Sequence, residues 1–282
     1  MSTPLPAHLV DELVRRTLAE DLGLAGDPST DAAISPDARG TAEIVARQSG
    51  TIAGLDVALA VFPAVSGGVT ATAAVVDGDR VDAGTVLARL QGPTRALLTG
   101  ERAALNLLGH ASGIATVTRS VVDAVAGTRA RIVDTRKTTP GLRALEKYAV
   151  RCGGGHNHRF GLFDAVMLKD NHLVAAGGIA PAVAAVRAQV GHTVHVEVEV
   201  DHLEQVHEAL AAGADSILLD NLDDDDLRTA VGLVAGRAIT EASGGITPDR
   251  AAAVAATGVD VISLGWLTHS APRLDVALDL VA

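Results

Sequence analysis

The sequence has one cysteine and very few aromatic residues. The single Cys152 excludes an internal disulfide and a metal site built from several cysteines, and it fits a reducing cytoplasm best. Aromatic side chains make up 2% of the chain, which disfavours a surface that binds nucleic acid by stacking. The net charge of -11, from 23 basic and 34 acidic residues, also disfavours a polyanionic partner. We therefore expect no nucleic-acid partner.

A membrane-spanning segment and a secretory leader are not indicated either. No positively charged stretch followed by an apolar run opens the chain, so we expect no secretory signal. The uncharged stretch 57–76 has about the length of a membrane helix, but Pro63 and the turn Ser66-Gly67-Gly68 interrupt it. This pattern predicts a buried helix, a turn and a strand, and no contact with a membrane.

The composition is typical of a globular α/β protein. The chain has 282 residues, 48% of them hydrophobic, and 29 glycines, which suits one large barrel domain with or without a smaller companion. The first hundred residues combine a helical spacing over 6–19 with strand-like runs at 41–47, 70–76 and 85–91.

From residue 131 onward, strand-like and helical stretches alternate regularly. The apolar strand-like runs are 131–134, 165–168, 193–200, 216–219, 238–242 and 259–264. Helical stretches separate them at 180–190, 203–212, 225–235 and 248–256. This alternation predicts βαβ units and a parallel sheet that closes, or nearly closes, into a barrel. Six strands are fewer than the eight of a full barrel, so the fold class is an incomplete α/β barrel.

Polar or glycine residues follow each of these six runs. Any one of them alone is explained by a helix cap or a loop. Six at the same edge of a barrel favour a functional site, because chemistry in such barrels lies where the strands end. These residues are Asp134 to Lys137, Lys169 to His172, Glu199, Asp220 and Asn221, Ser243 to Gly245, and Gly265.

A basic segment stands out in this acidic protein. Residues 134–172 contain all three lysines and carry seven basic against four acidic residues, 7 − 4 = +3. This concentration indicates a site for a small, multiply charged anion. Arg143, Glu146 and Lys147 have the spacing of an ordinary charged helix surface, whereas Arg136 and Lys169 border strand ends.

The segment Gly153-Gly154-Gly155-His156-Asn157-His158-Arg159 predicts a loop whose backbone approaches a ligand closely. His156 and His158 have a spacing that some metal hydrolases use, with His195 as a further candidate ligand. The surrounding arginines and lysines disfavour a cation there.

Carboxylates and glycines lie at the later strand ends. Glu199 and Asp220 follow neighbouring strands and are candidates to bind Mg²⁺, directly or through water, or ribose hydroxyls. We interpret Glu197, on the same strand, as a buried partner of a basic residue, and Asp223 to Asp226 as a helix start. Ser243-Gly244-Gly245 and Leu264-Gly265-Trp266 occupy the positions of the usual phosphate site of a barrel.

Together these motifs resemble the quinolinate phosphoribosyltransferase family. The resemblance covers nearly the whole chain, with one small departure at Asp27-Pro28-Ser29-Thr30. It is carried by Asp134 to Arg143, Glu146 to Val150, Gly153 to Arg159, Leu168 to His172, Glu20-Asp21-Leu22, Glu101 to Asn106, Ser112 to Thr116, and Glu197 to Val200.

The resemblance implies an N-terminal α/β sandwich domain over 1–105, joined by the tail 270–282, and a barrel domain over 106–269. It also implies a cytoplasmic homodimer with a shared active site. The implied reaction joins quinolinate to 5-phosphoribosyl 1-pyrophosphate with Mg²⁺, and it gives nicotinate mononucleotide, pyrophosphate and CO₂ in NAD biosynthesis.

The resemblance and the residue chemistry together assign expected roles. Lys137, Glu199 and Asp220 are the expected catalytic residues, and Glu199 and Asp220 the expected Mg²⁺ ligands. Cationic and polar groups suit the two carboxylates of quinolinate, and Arg102 is expected to come from the partner subunit. The expected substrate-binding residues are Arg102, Thr135, Arg136, His158, Arg159 and Lys169, and the expected phosphate-binding residues are Ser243, Gly244, Gly245, Leu264, Gly265, Trp266 and His269.

Three alternatives compete with this interpretation. The first is a related phosphoribosyltransferase-like protein linked to molybdate transport, with another acceptor. The second is a barrel aldolase that forms a Schiff base on Lys169 or Lys137. The third is a non-catalytic binding protein, which we would expect to lack Lys137, Glu199 or Asp220.

Overall fold

The structure is a computed structural model that describes residues 3–281. It divides into two compact units. The first unit comprises Met1–Arg119, Thr138–Gly154 and Leu267–Ala282, and the second comprises Ser120–Lys137 and Gly155–Trp266. Met1, Ser2 and Ala282, which fall within the expected sandwich domain and its tail, lie outside the described residues. No helix within the described range is both long and apolar enough to cross a membrane.

The first unit is built on a four-stranded antiparallel sheet. Its strand order is β12-β1-β5-β3, so the C-terminal strand pairs with the first strand of the chain. A two-stranded sheet, β2-β4, accompanies it. The strands of this unit are β1 (Arg39–Ala46), β2 (Gly50–Thr51), β3 (Thr70–Ala73), β4 (Arg80–Val81), β5 (Val86–Pro93) and β12 (Val276–Val281).

Helices supply most of the core of this unit. The expected helix near the start is present, and it buries Leu13, Val14 and Leu18 on one face. The uncharged stretch forms a helix and a strand as expected, and Asp77 accepts hydrogen bonds from the main-chain N–H groups at that helix's start. The helices that lie wholly or mostly in this unit are α1 (Ala7–Leu22), α2 (Pro28–Ala33), α3 (Leu55–Val65), α4 (Thr94–Ala124), α5 (Arg143–Cys152) and α11 (Trp266–His269).

The division into units differs from the expected domain boundaries. The expected boundary between 105 and 106 falls inside α4, which is a single helix of 31 residues. Helix α5 belongs to the first unit, although it lies within the range expected for the barrel. Local periodicity predicts a helix but not the core against which it packs, so the sequence pattern could not assign these segments.

The second unit contains the six expected strands in one sheet. All of their pairings are parallel, and the order is β6-β11-β10-β9-β8-β7. The edge strands β6 and β7 do not pair with each other, in agreement with an incomplete barrel. The strands are β6 (Arg131–Val133), β7 (Val166–Leu168), β8 (Val196–Val200), β9 (Ser216–Asp220), β10 (Ile239–Ser243) and β11 (Val261–Ser263).

Helices follow these strands along the chain, as the alternation of the sequence predicts. Apolar side chains on one face of the sheet, such as Val198, Ile217 and Leu219, are fully buried. Asp223 caps α9 by accepting hydrogen bonds from two main-chain N–H groups, which confirms that the acidic run is a helix start. The helices are α6 (Asp170–Ala176), α7 (Ile179–Arg187), α8 (Leu203–Ala212), α9 (Asp224–Val234) and α10 (Pro248–Ala256).

Candidate active site

The carboxyl ends of the six parallel strands lie at one edge of the second sheet. The register places Glu199 level with Leu218, and Asp220 level with Ser243. Because Asp220 lies two residues beyond Leu218, Glu199 and Asp220 project from the same face of the sheet. The structure therefore brings together the strand ends that the sequence singles out.

The end of β6 is tied to the loop that carries His158. Asp134 is fully buried, and its two carboxylate oxygens accept hydrogen bonds from the main-chain N–H of His158 at 2.9 Å and from Asn157 Nδ2 at 2.6 Å. His156 forms an isolated parallel bridge with Val133. The loop thus runs along the outer edge of β6.

The next residues of the chain form a tight turn. The hydroxyl of Thr135 accepts a hydrogen bond from the main-chain N–H of Lys137 at 3.0 Å. This contact fixes the backbone from which the Lys137 side chain projects. The side chain of Thr135 therefore shapes the turn.

The ring of His158 is held between two buried glutamates. Its Nε2 lies 3.1 Å from Glu197 Oε2 and 3.4 Å from Glu241 Oε1. Glu197 in turn accepts a hydrogen bond from Ser216 Oγ at 3.0 Å. Both carboxylates are 4% exposed, so the structure confirms Glu197 as a buried partner of a basic residue.

These contacts show that the sheet is strongly curved. The His158 loop borders β6, and four strand spacings separate β6 from β8 in the sheet. On a flat sheet that separation would be roughly 19 Å, at about 4.8 Å a strand. Since His158 contacts Glu197 on β8 directly, the sheet must curl around a polar interior.

Hydrogen bonding determines where the protons of this cluster lie. Burial lowers the pKa of His158, whereas its hydrogen bond to Glu197 and its contact with Glu241 raise it. The main-chain N–H of Arg159 donates to His158 Nδ1 at 2.7 Å, so the ring proton sits on Nε2. Burial also raises the pKa of Glu241.

The same tautomer disfavours a metal ion at this cluster. His158, Glu197 and Glu241 have the donor types and the proximity of a metal site. A neutral imidazole that binds a metal through Nε2 must carry its proton on Nδ1, yet Nδ1 accepts a hydrogen bond here. His156 is not part of this cluster, and His195 bonds Ser216 at 2.9 Å.

Arg136 and Arg159 lie close enough for their charges to interact. Partial burial and the nearby charge of Arg136 both lower the pKa of Arg159. Nε of Arg136 is buried and has no hydrogen-bond partner among residues 3–281. A buried, unpaired guanidinium donor beside a second arginine is the arrangement that a small anion with several charges would complete.

Lys169 and Glu199 form a close ion pair across β7 and β8. The Lys169 side chain is 46% exposed and the Glu199 side chain 14% exposed. The carboxylate thus lies deeper in the site than the ammonium group. The sequence predicts separate roles for these two residues and gives no sign of this pair.

Asp220 is oriented by its neighbour along the chain. Asn221 Nδ2 donates to Asp220 Oδ2 at 2.6 Å, and the main-chain N–H of Asn221 donates to Ser243 O at 2.9 Å. Asn221 adopts a φ of 56°, a left-handed conformation that side chains rarely adopt. Gly244 has a φ of 91°, and a Cβ there would collide with Asn221. The glycine is therefore required where the chain leaves β10.

The remaining expected residues lie in two places. In the second unit, Leu264 follows β11 and is buried, Gly265 comes next, and Trp266 Nε1 donates to Ile246 O at 3.0 Å. Arg102 and His269 belong to the first unit. The Arg102 side chain is 65% exposed, and His269 Nδ1 lies 2.6 Å from Ser270 Oγ.

The sequence interpretation missed Glu241 and the positioning contact of Asn221. A signal for Glu241 is present in the strand 239–243, where alternation puts it on the same face as Ser243. Its contact with His158 follows from the curvature of the sheet, which strand periodicity does not reveal.

Fold and site define an α/β-barrel protein whose strand-end loops are built to bind small, multiply charged anions. The family models for quinolinate phosphoribosyl transferase match residues 27–112 with the N-terminal domain and 114–279 with the C-terminal domain. The chain belongs to the quinolinate phosphoribosyltransferase family.

Curated relatives and solved structures match over nearly their full length. A probable nicotinate-nucleotide pyrophosphorylase [carboxylating] from Bacillus subtilis is 47% identical over 97% of this chain and 94% of its own. A nicotinate-nucleotide pyrophosphorylase [carboxylating] from Mycobacterium leprae is 48% identical over 95% and 96%. The crystal structure of NadC from Streptococcus pyogenes is 42% identical, covers 100% of both chains and gives a TM-score of 0.95.

Proposed function

We propose that this protein transfers the phosphoribosyl group of 5-phosphoribosyl 1-pyrophosphate to quinolinate and releases pyrophosphate and CO₂, which gives nicotinate mononucleotide for NAD biosynthesis. The observation that carries the proposal is that Arg136, at the end of β6, has a buried Nε without a hydrogen-bond partner among residues 3–281 and lies close enough to Arg159 for the two charges to interact. Two cations placed together are matched by a substrate with two carboxylates. The names of the Bacillus and Mycobacterium relatives support the same reaction.

Quinolinate is bound by the cationic side of the site. Arg136 and Arg159 pair with its carboxylates, and Lys169 adds a third charge once it separates from Glu199. Both ring nitrogens of His158 are already engaged within the protein, so His158 contributes by orienting Arg159. Thr135 contributes through the turn that presents Lys137.

The phosphoribosyl donor is bound by the carboxylate and glycine side. Glu199 and Asp220 accept hydrogen bonds from the ribose hydroxyls as C1 gains positive charge. The 5-phosphate is cradled by the strand-end loops of β10 and β11. The residues proposed for this cradle are Ser243, Gly244, Gly245, Leu264, Gly265, Trp266 and His269.

The chemistry of the donor set also fits Mg²⁺. Glu199 and Asp220 are oxygen donors that project from one face of adjacent strands, and oxygen ligands are those that Mg²⁺ prefers. They would hold the ion directly or through water. Bound Mg²⁺ supplies charge neutralisation for the pyrophosphate leaving group.

The bond changes follow from the electronics of the pyridine ring. The ring nitrogen of quinolinate attacks C1 of the ribose, and the bond from C1 to pyrophosphate breaks. The nitrogen becomes cationic, so the electron pair of the adjacent ring carbon–carboxylate bond stays on that carbon as CO₂ leaves. That carbon then takes a proton from water. Lys137 offsets negative charge on pyrophosphate and on the reacting carboxylate.

We further propose that the active form is a cytoplasmic homodimer in which Arg102 enters the site of the partner subunit. Leu162, Phe163 and Val174 are large apolar side chains that are 73%, 83% and 82% exposed, an arrangement that favours an interface with a second copy. Arg102 is exposed on its own subunit and can bind a partner's substrate.

An activity assay tests this function. Purified protein is mixed with Mg²⁺, 5-phosphoribosyl 1-pyrophosphate and quinolinate, and nicotinate mononucleotide, pyrophosphate and CO₂ are quantified. We expect the three products in equal amounts and their loss when Mg²⁺ is chelated. Absence of product while both substrates bind would contradict the proposal and favour the molybdate-linked alternative with another acceptor.

A further inference from the structure

The loop that carries His158 and Arg159 has little rigidity of its own. It begins with three consecutive glycines, Gly153 to Gly155, which leave the backbone many conformations. A cation that must meet a substrate carboxylate needs a fixed position, since a displacement of about 1 Å can cost roughly a hundredfold in rate. The end of β6 fixes the loop backbone as far as His158, through Asp134 and the bridge between Val133 and His156. The orientation of the His158 ring and the position of Arg159 need further contacts.

The two glutamates on β8 and β10 restrain the ring of His158. Glu197 and Glu241 contact the same ring nitrogen of His158, at 3.1 and 3.4 Å. The other ring nitrogen accepts the main-chain N–H of Arg159 at 2.7 Å. The imidazole is thus held at both nitrogens, and it connects the inner face of the sheet to the backbone of Arg159.

Glu241 is not one of the residues assigned above to substrate binding or catalysis. It lies in the middle of β10, level with Leu218 and through it with Glu199, so it belongs to the inner face of the sheet. Only 4% of it is exposed. Such burial of a carboxyl group is costly unless its contacts compensate. Glu241 Oε1 has no hydrogen-bond partner among residues 3–281, so its contact with His158 Nε2 at 3.4 Å compensates that cost only in part.

We propose that Glu241 is a positioning residue that acts through His158 to hold the Arg159 guanidinium where it receives a carboxylate of the acceptor substrate. Arg159 Nη1 donates to Ala165 O at 3.1 Å, which restrains the guanidinium from the other side. The inference rests on the proposed function, because it takes the Arg136–Arg159 pair as the acceptor site. Because Glu241 acts through His158, its loss should affect the acceptor and spare the phosphoribosyl donor.

Steady-state kinetics on the full chain test this inference. Glu241→Leu, which keeps the approximate volume but removes the polar contact, should raise KM for quinolinate about tenfold, because the His158 ring loses the carboxyl group that restrains it on this side. KM for 5-phosphoribosyl 1-pyrophosphate should change less than about twofold. Glu241→Gln keeps an oxygen acceptor for His158 Nε2–H and should restore KM for quinolinate.

The matched control is Thr240→Val on the opposite face of the same strand. Thr240 is buried and its hydroxyl donates to Asp260 at 2.8 Å, so this change lowers Tm without touching the His158 cluster. We expect both KM values to stay at those of the unchanged protein. A merely structural role for Glu241 would give the same result as Thr240→Val.

Each outcome decides the question. If Glu241→Leu raises both KM values equally or neither, or if Glu241→Gln fails to restore the quinolinate KM, the positioning role is overturned. Should Glu241→Leu not fold, Glu241→Asp, which withdraws the carboxyl from His158, must show the same selective rise. Lack of turnover by the unchanged protein would overturn the proposed function itself, which a failure of the variants alone would not.

Discussion

Lys169 and Glu199 neutralise each other in the structure, although one is proposed to bind the acceptor and the other the donor. Quinolinate must therefore replace Glu199 as the partner of Lys169, and the ribose must replace Lys169 as the partner of Glu199. Binding of quinolinate to Lys169 releases Glu199 for the ribose hydroxyls, so the two substrates should bind more tightly together than separately.

The ion pair leads to an unusual expectation for Glu199→Gln. Removing the carboxylate frees Lys169, so quinolinate alone should bind several-fold more tightly than it binds the unchanged protein. Turnover should still fall by about a hundredfold or more, because the ribose loses its acceptor. Isothermal titration with quinolinate in the absence of the donor measures the first effect. Weaker binding by the variant would contradict the account of the pair.

Lys137→Ala should lower kcat far more than it weakens quinolinate binding. The ammonium group is proposed to act on charge that develops in the transition state, and removal of such a group costs about a hundredfold or more in kcat. Stopped-flow binding and steady-state rates measured on the same preparation separate the two quantities. Equal losses in both would remove the transition-state role of Lys137.

The shared site of the proposed homodimer can be tested by mixing inactive variants. Arg102→Ala and Lys169→Ala should each be nearly inactive, because each lacks one cation for the dicarboxylate. Random exchange of subunits should restore about a quarter of the sites, since half of the dimers are mixed and each has one intact site. Activity that stays at the level of the separate variants would show that Arg102 serves its own subunit or none.

Asp260 should contribute to stability at neutral pH and lose that contribution in acid. Burial works to raise its pKa, but hydrogen bonds from the main chain and hydroxyl of Thr240, and its pair with Arg129, outweigh burial and lower it. A lowered pKa in the folded state means that the stabilisation is present above the unfolded pKa and disappears as pH falls through the folded value.

Asp260→Asn should therefore cost about 1 to 2 kcal/mol of unfolding free energy at pH 7, and the difference should shrink as the pH falls below the ordinary range for aspartate. Urea unfolding at several pH values measures it. Asp37→Asn, at an exposed aspartate, is the control and should show little effect at any pH. A cost that does not change with pH would rule out ionisation of Asp260 as its source.

The sequence predicts the second sheet well because its strands are short apolar runs separated by helical spacing. The strand ends at Asp134, Lys169, Glu199, Asp220 and Ser243 could be named in advance, since parallel strands bring their carboxyl ends to one edge. Helix α5 and the domain boundary could not, because amphipathic periodicity does not say which core a helix joins.

Contacts between side chains across the interior of the sheet also could not be predicted from the sequence. His158 meets Glu241 only because a six-stranded sheet curls, and curvature depends on the twist of the whole sheet rather than on any local pattern. The Lys169–Glu199 pair likewise could not be predicted, because it requires two side chains that follow different strands to bind each other rather than water. The left-handed backbone conformation of Asn221 could not be predicted from the sequence either.

The most direct measurement is the initial rate of nucleotide formation with quinolinate and with nicotinate, run in parallel with the same enzyme, donor and Mg²⁺. Nicotinate lacks one of the two carboxylates that Arg136 and Arg159 are proposed to bind. Because a site built around paired charges rejects an analogue that leaves one of them unpaired, kcat/KM for quinolinate should exceed that for nicotinate by about 10³-fold or more. Comparable rates with both acceptors would contradict the account.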